Sequence, residues 1–170
     1  MTRWWTTAGA LLGAFILQVM IAPHMAIIGV TPNLLLLVVI TLAFVEGSSA
    51  GATVGFIAGI LMDLLSSGPI GAWALVMSVT GYLSGSLTRN LFAEGWLAPV
   101  TVGVVTALVA DFAYLVVVTV IGVGPAFWPA LGRLVLPRAV YNAVLVMLLY
   151  PWLARFLRTD RSIKSFGRLG

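Results

Sequence analysis

The stretch Glu46–Gly71, EGSSAGATVGFIAGILMDLLSSGPIG, has a four-residue repeat of small residues that ends in an acid. The positions that carry the repeat are Gly47, Gly51, Gly55, Gly59 and Asp63. Residues four apart lie on one face of an α-helix, and a face of small residues in a membrane lets another helix approach backbone to backbone. The repeat therefore predicts a close helix–helix contact, either with a helix of the same chain or with a partner protein.

The composition indicates an integral membrane protein. Of the 170 residues, 61% are hydrophobic and 8% are charged, and the mean hydropathy is +1.12. Soluble domains carry about 25% charged residues, so this chain has too few charges to cover a surface that faces water. The chain has no cysteine and one histidine, which excludes disulfides and most metal clusters. We expect no cofactor.

Six apolar segments are candidate membrane spans, since about 20 apolar residues cross the hydrocarbon core. They are Thr6–Ile21, Ile27–Val45, Ser49–Leu65, Ile70–Leu87, Trp96–Val120 and Leu131–Leu153. A second span that begins at Pro32, with Thr31 as its N-cap, would cross only part of the bilayer, and the sequence leaves both starts open. We predict an all-α membrane protein: a compact six-span bundle with short loops over residues 1–153, then a basic cytoplasmic tail over residues 154–170.

The distribution of basic residues predicts the orientation. Six spans place both termini on one side, which then carries Arg3, Arg89, Arg155, Arg158, Arg161, Lys164 and Arg168. The opposite side has Arg133, and Arg138 lies inside the sixth span. Because Lys and Arg concentrate on the cytoplasmic side, both termini are predicted to be cytoplasmic. All six tryptophans fall near predicted span ends, as in an interfacial aromatic belt: Trp4, Trp5, Trp73, Trp96, Trp128 and Trp152.

Ionisable residues within membrane spans are expensive and usually have a function. Asp63 has two interpretations: a contact to a partner or proton-linked site, or a carboxylate that accepts N–H groups from the start of the next helix, around residues 68–71. We favour the second. Pro69 and Gly71, in the following turn, are further candidates for packing or partner contact.

Further polar residues lie in the last two spans. Asp111 and Arg138 are candidates for an ion pair, since both must avoid lipid. Tyr141 and Asn142 follow Arg138 at helical spacing. We expect Asn142 to hydrogen-bond between helices, and Gln18 on the first span is a similar case.

The basic end repeats Lys or Arg every three or four residues: Arg155, Arg158, Arg161, Lys164 and Arg168. Such a segment suits an anionic inner leaflet, and the alternative is a solvated stop signal after the last span. Catalytic signatures are missing, because the sequence has no HExxH, no GxSxG and no glycine-rich phosphate loop. We therefore predict that the protein is not an enzyme.

Three motifs resemble one bacterial family. They are Pro32-Asn33-Leu34-Leu35-Leu36-Leu37, GATVGFIAGILMDLLSSGPIGAWAL from Gly51, and Gly81-Tyr82-Leu83. Together they resemble the rod shape-determining protein MreD, over most of the chain. The family tends to have an acid after the first proline, where this chain has Asn33, so no charge-based role is carried over to that position.

The resemblance implies a non-catalytic inner-membrane subunit of the cell-elongation (rod) complex. It would bind MreC, a single-span protein with a periplasmic coiled coil. Through MreC it would connect to MreB filaments and to the RodA–transpeptidase pair that builds lateral peptidoglycan. Gly51, Gly55 and Gly59 are the first candidates for the MreC-binding face.

A second resemblance leads to another function. Compact six-helix proteins with short loops are similar to the substrate-binding subunits of energy-coupling-factor vitamin transporters. That resemblance implies a small-solute pocket near the outer face, lined by Trp73, Tyr82 and Asp63. It also gives Ala10 and Ala14 as a small face for meeting a transporter partner.

Overall fold

The computed structural model describes residues 2–26, 29–88 and 97–166, and these residues form helices without β-strands. The elements are α1 (Thr2–Met20), a 3-10 turn (Ala22–Met25), α2 (Leu34–Glu46), α3 (Ser48–Leu65), α4 (Ala72–Thr88), α5 (Leu97–Ile121), α6 (Phe127–Ala130), a π-helical turn (Leu131–Val135) and α7 (Leu136–Phe166). The all-α prediction is confirmed, and the long helices lie close to the six predicted apolar segments.

Three helices in the described ranges are long and apolar enough to cross a membrane: Ser48–Leu65, Val100–Ile121 and Phe127–Trp152. Three more are apolar but shorter: Trp5–Met20, Leu34–Glu46 and Ala72–Leu87. An apolar exterior fits a lipid environment, since Leu64, Val120 and Leu148 are among the many large apolar side chains that lie exposed. The crossing of the membrane by all six helices stays a prediction.

Helix α2 is a short helix in the centre of the protein. Its 13 residues span about 20 Å at 1.5 Å per residue, which is less than the ~30 Å hydrocarbon core. Every side chain from Leu35 to Val45 is buried, as expected of a helix that is apolar all round. The shorter alternative for the second span is thus close to the structure. Thr31 is not the N-cap: Asn33 is, and its Oδ1 accepts from the Leu36 N–H at 3.0 Å. Ile27 lies outside the described residues.

The glycine face of α3 packs on α4, the most extensive helix–helix contact of the described chain. A Cβ atom on Gly51 would strike the backbone of Gly81, and one on Gly55 would strike the carbonyl of Met77. One on Gly59 would strike the backbone of residues 73–74. These pairs run in opposite directions along the two helices, so α3 and α4 form an antiparallel hairpin with direct backbone contact.

The partner of the glycine face is therefore a helix of the same chain. This outcome is one of the two alternatives that the repeat left open, and it overturns the prediction that Gly51, Gly55 and Gly59 meet MreC. Gly47 has a different role from the other three. It connects α2 to α3 with a φ of +97°, a left-handed conformation that glycine adopts without steric cost.

The tryptophans do not all form an interfacial belt. Trp5, Trp128 and Trp152 are largely exposed, as predicted, but Trp73 is 1% exposed. Its indole stacks on Tyr114 with ring centroids 4.1 Å apart. Trp73 lies near a helix end in the sequence, but its position on α4 directs the side chain inward. Its assignment to the belt was wrong. The side chains of Trp4 and Trp96 lie outside the described part of the chain.

Helix α7 continues the short α6 through the π-helical turn without a break. Pro137 is the second residue after this turn, and a proline within a helix removes one backbone donor and crowds the carbonyl four residues before it. A wider π turn accommodates such a residue. The backbone stays helical to Phe166, beyond the predicted end of the last span at Leu153.

Gly55→Ala should destabilise the protein, because the new methyl group would overlap the Met77 carbonyl. Overpacking typically costs about 1–3 kcal/mol, more where backbone must move. Gly13→Ala is the matched control, since its Cβ would have no neighbour within 4 Å and alanine is the better helix former. Thermal unfolding of both variants in the same detergent measures the difference. Equal melting temperatures would contradict the backbone contact.

Candidate functional site

Asp63 caps the start of α4. Its Oδ2 accepts from the N–H groups of Gly71 at 2.8 Å and Ala74 at 3.1 Å, and its Oδ1 accepts from the Trp73 N–H at 2.9 Å. The carboxylate is 2% exposed, and the positive end of the helix dipole stabilises its charge. The structure therefore supports the capping role favoured for Asp63. Gly71 reaches this position with a φ of +101°.

A buried polar network holds the start of α2. Gln18 on α1 donates from Nε2 to the Pro32 carbonyl at 2.9 Å and accepts at Oε1 from the Leu34 N–H at 2.7 Å. Asn142 on α7 accepts at Oδ1 from the Asn33 N–H at 3.0 Å. The predicted interhelical hydrogen bonds of Gln18 and Asn142 are confirmed, and both are made to the segment that leads into α2.

Asp111 joins the same network from α5. Its Oδ2 accepts from Asn142 Nδ2 at 3.0 Å, whereas its Oδ1 is buried without a hydrogen-bond partner. The predicted ion pair between Asp111 and Arg138 is not formed in the described structure, although both residues line one cavity. The pairing prediction was wrong: the α7 residue that bonds to Asp111 is Asn142, one helical turn beyond Arg138.

A large pocket opens where α1, α3 and α5 end and α4 and α7 begin. Its volume is about 590 Å³, and its polar lining includes Gln18, Thr31, Ser66, Ser67, Tyr114 and Arg138. The stacked rings of Trp73 and Tyr114 form part of the wall. The turn from Ser66 to Pro69 forms part of the lining. Pro69, predicted for packing or partner contact, thus lies at this pocket.

A smaller cavity lies beside the large pocket. It has a volume of about 130 Å³ and is lined by Asp111 together with Leu134, Val135 and Arg138. Four residues line both spaces: Tyr114, Val118, Pro125 and Arg138. Arg138 and Tyr114 therefore stand between the open pocket and the buried carboxylate of Asp111.

Arg138 is the one charged residue among the described residues that line the large pocket, and no aspartate or glutamate lines it. Its Nε is buried, and the side chain makes no hydrogen bond or ion pair within the described ranges. A guanidinium has five N–H donors in a planar fork that matches acceptor oxygens. The pocket thus presents an unmatched cation to whatever enters it.

Several residues predicted for function lie elsewhere. Tyr82 is exposed on α4, away from the pocket. The carboxylate of Asp63 is already engaged in capping α4. Tyr141 donates to the Met25 carbonyl at 3.0 Å. Ala14 is buried in the core and Ala10 is packed against it. Arg155 is exposed, whereas the side chains of Arg158, Arg161 and Lys164, and all of Arg168, lie outside the described residues.

Tyr114 is the pocket residue that the sequence analysis missed. It follows Asp111 by three residues on α5, a spacing that places both on the same helix face. That spacing was the available signal. No group of three or more His, Cys, Asp or Glu residues that could hold a metal occurs in the described part of the chain.

Asp63→Asn should destabilise the protein by about 2–3 kcal/mol, because the amide offers one acceptor oxygen and turns an NH₂ group towards N–H donors. Glu46→Gln is the matched control: it replaces a carboxylate that is half-buried and accepts from Thr7 at 3.2 Å. Thermal unfolding of both variants in the same detergent measures the loss. A smaller shift for Asp63→Asn than for Glu46→Gln would contradict the cap.

Asn142→Leu should remove two buried interhelical hydrogen bonds and leave Asp111 and the Asn33 N–H without partners. Orphaned buried polar groups cost about 1–3 kcal/mol each, so the expected loss for the two groups is roughly 2–6 kcal/mol. Tyr141→Phe, which removes an exposed hydrogen bond from the neighbouring residue, should cost less than about 1 kcal/mol. Equal unfolding temperatures for the two variants would contradict the network.

The family comparison agrees with the resemblance. A family model described as rod shape-determining protein MreD matches residues 1–159. Neither the curated proteins nor the solved structures that were searched give a match. Because the family model covers nearly all of the 170 residues, the chain belongs to the MreD family of rod shape-determining proteins.

Proposed function

We propose that this protein is a non-catalytic subunit of the rod complex that binds an MreC-like single-span protein. Through that partner it helps to couple MreB filaments to lateral peptidoglycan synthesis by the RodA–transpeptidase pair. Family membership supports a role in rod-shape determination. The tight turns that join α2 to α3 and α3 to α4 also support it, because they leave little mass outside the membrane.

The large pocket is the observation that carries the proposed binding function. The glycine face of α3 is filled by α4, so a partner must use another surface. The pocket is open, about 590 Å³ in volume, and lined by an arginine without a partner among the described residues. If both termini are cytoplasmic, the pocket opens at the outer face of the membrane. A single-span partner leaves the bilayer at that level, and its next residues can enter the pocket.

The basic end suits a second contact, with the cytoplasmic leaflet. Arg155, Arg158, Arg161, Lys164 and Arg168 repeat at helical spacing, and each basic residue near an anionic surface gains about 1 kcal/mol. We infer that this end rests on the inner leaflet and helps to fix both termini in the cytoplasm.

One observation favours a second candidate function, binding of a small solute as in energy-coupling-factor transporters. The pocket volume of about 590 Å³ falls within the range of about 300–1,000 Å³ typical of small-molecule sites, and Trp73 and Tyr114 supply an aromatic wall. Tyr82 and Asp63, which were predicted to line such a site, do not line the large pocket.

Gentle extraction of the tagged protein from its native membrane, with mass spectrometry of everything that accompanies it, distinguishes the two functions. We expect an MreC-like protein and cell-wall synthases. ATP-hydrolysing transport subunits together with a bound vitamin would contradict the rod-complex role.

The same extraction tests the pocket as the docking place. Ser67→Trp adds bulk at an exposed bend in the pocket wall and should reduce recovery of the MreC-like protein at an unchanged level of the tagged protein. Val79→Trp, which adds bulk to an exposed position in the middle of α4, is the matched control and should recover normal amounts. Equal recovery with both variants would contradict docking in the pocket.

A further inference from the structure

Arg138 is a charged residue on a predicted membrane span, and the described residues supply no counter-ion contact for it. Its Nε is buried and has no hydrogen-bond partner, and the side chain lines both the large pocket and the smaller cavity. A charge within a membrane protein usually pairs with another group of the protein or faces a water-filled cavity. The site of Arg138 therefore has unused capacity to bind an acceptor.

Neither Asp63 nor Asp111 forms an ion pair with Arg138. Asp63 is saturated by three backbone N–H groups. Asp111 directs Oδ2 to Asn142 and does not line the large pocket. On the side of the large pocket, the guanidinium thus meets no negative charge from the described residues, and the pocket complements an anionic group.

We propose that Arg138 binds one carboxylate, carried by an acidic side chain in the segment of the MreC-like partner that lies next to the membrane. The proposal rests on the proposed function and names the chemistry by which the partner is recognised. The guanidinium fork matches a carboxylate with two parallel N–H···O bonds. Partial enclosure strengthens the attraction, because the effective dielectric constant near a protein is lower than in water.

A carboxylate fits this site better than a phosphate does. Arg138 supplies a single positive charge, and Asp111 lines the adjoining cavity behind it. A phosphate monoester carries about −1.5 to −2 charges at neutral pH, which is more than the single charge of Arg138 balances. The Ser66–Pro69 turn and Pro125 contribute uncharged lining, which suits an extended peptide that presents one acid.

The first test measures the affinity of the purified protein in nanodiscs for the purified full-length partner. Arg138→Gln should weaken binding about tenfold or more, because a buried charge-assisted pair is worth at least the ~1.4 kcal/mol that a factor of ten represents. Arg138→Lys should retain part of the affinity, since the charge remains but the fork is lost. Arg133→Gln is the matched control, because it removes an exposed arginine one to two turns earlier and should leave affinity unchanged.

The second test identifies the acid on the partner. Each Asp and Glu of its membrane-proximal outer segment is changed to Asn or Gln, and one change should reproduce the loss seen with Arg138→Gln. Arg138→Glu combined with that acid changed to arginine should recover binding that each single change loses. Unfolding temperatures of all variants establish that the fold is intact.

The outcomes separate this inference from the proposed function. If the unmodified protein does not bind the partner, the proposed function fails. If it binds and Arg138→Gln binds as well as Arg133→Gln, the carboxylate site is wrong while the function stands. Loss of a co-purified anionic lipid from Arg138→Gln with unchanged partner affinity would likewise overturn the inference, because the group bound by Arg138 would then be a lipid phosphate.

Discussion

The backbone contact between α3 and α4 is the constraint on which the rest of the structure depends. In lipid the hydrophobic effect does not drive helices together, so close approach must come from packing and polar contacts. On α3, the glycines at 51, 55 and 59 allow the backbone of α4 to come close. On α4, Gly81 likewise lets the backbone of α3 approach. Such a hairpin must reverse within a few residues, and the reversal exposes the first N–H groups of α4. Asp63 lies one turn beyond the last of these glycines and binds three of those groups. The glycine repeat and Asp63 therefore act together: the glycines bring α3 and α4 into contact, and Asp63 caps the start of α4.

A second constraint follows from the position of α2. A helix of 13 residues that is surrounded by other helices begins inside the protein, where neither water nor lipid headgroups satisfy its first N–H groups. Side chains from three different segments accept hydrogen bonds from the N–H groups at this helix start: Asn33, Gln18 and Asn142. The network also fixes α1 and α7 relative to the centre, because each must place its amide at the same point. Polar residues in α1 and α7 thus determine how these helices are placed around α2, whereas the apolar contacts around α2 supply most of the packing.

The sequence allowed prediction of the helices, the glycine face and the cap, because each depends on local spacing. The helical period places Gly51 to Asp63 on one face whatever the fold, and a carboxylate before a turn has few acceptable partners. The sequence did not allow prediction of which helix contacts the glycine face, because periodicity defines a face of a helix but does not identify the helix that packs on it. Asp111 and Arg138 illustrate the same limit: their pairing depended on the rotation of α5 and α7, which brings Asn142 to the carboxylate instead. Trp73 was wrongly assigned to the interfacial belt, because a position near a helix end does not show whether the side chain points into the protein or outward.

The large pocket is the feature least accessible to sequence reasoning, because its wall comes from the ends of five helices and from their connections. The turn between α3 and α4 forms one side of it, and Thr31, from the segment that leads into α2, also lines it. Arg138 is half-buried with its Nε enclosed, and enclosing a charged group is costly unless another group pairs with it. The described chain offers no ion pair to Arg138, whereas it gives Asp63 three backbone N–H donors. That contrast within one protein argues that the acceptor for Arg138 comes from another molecule, whereas Asp63 serves the fold.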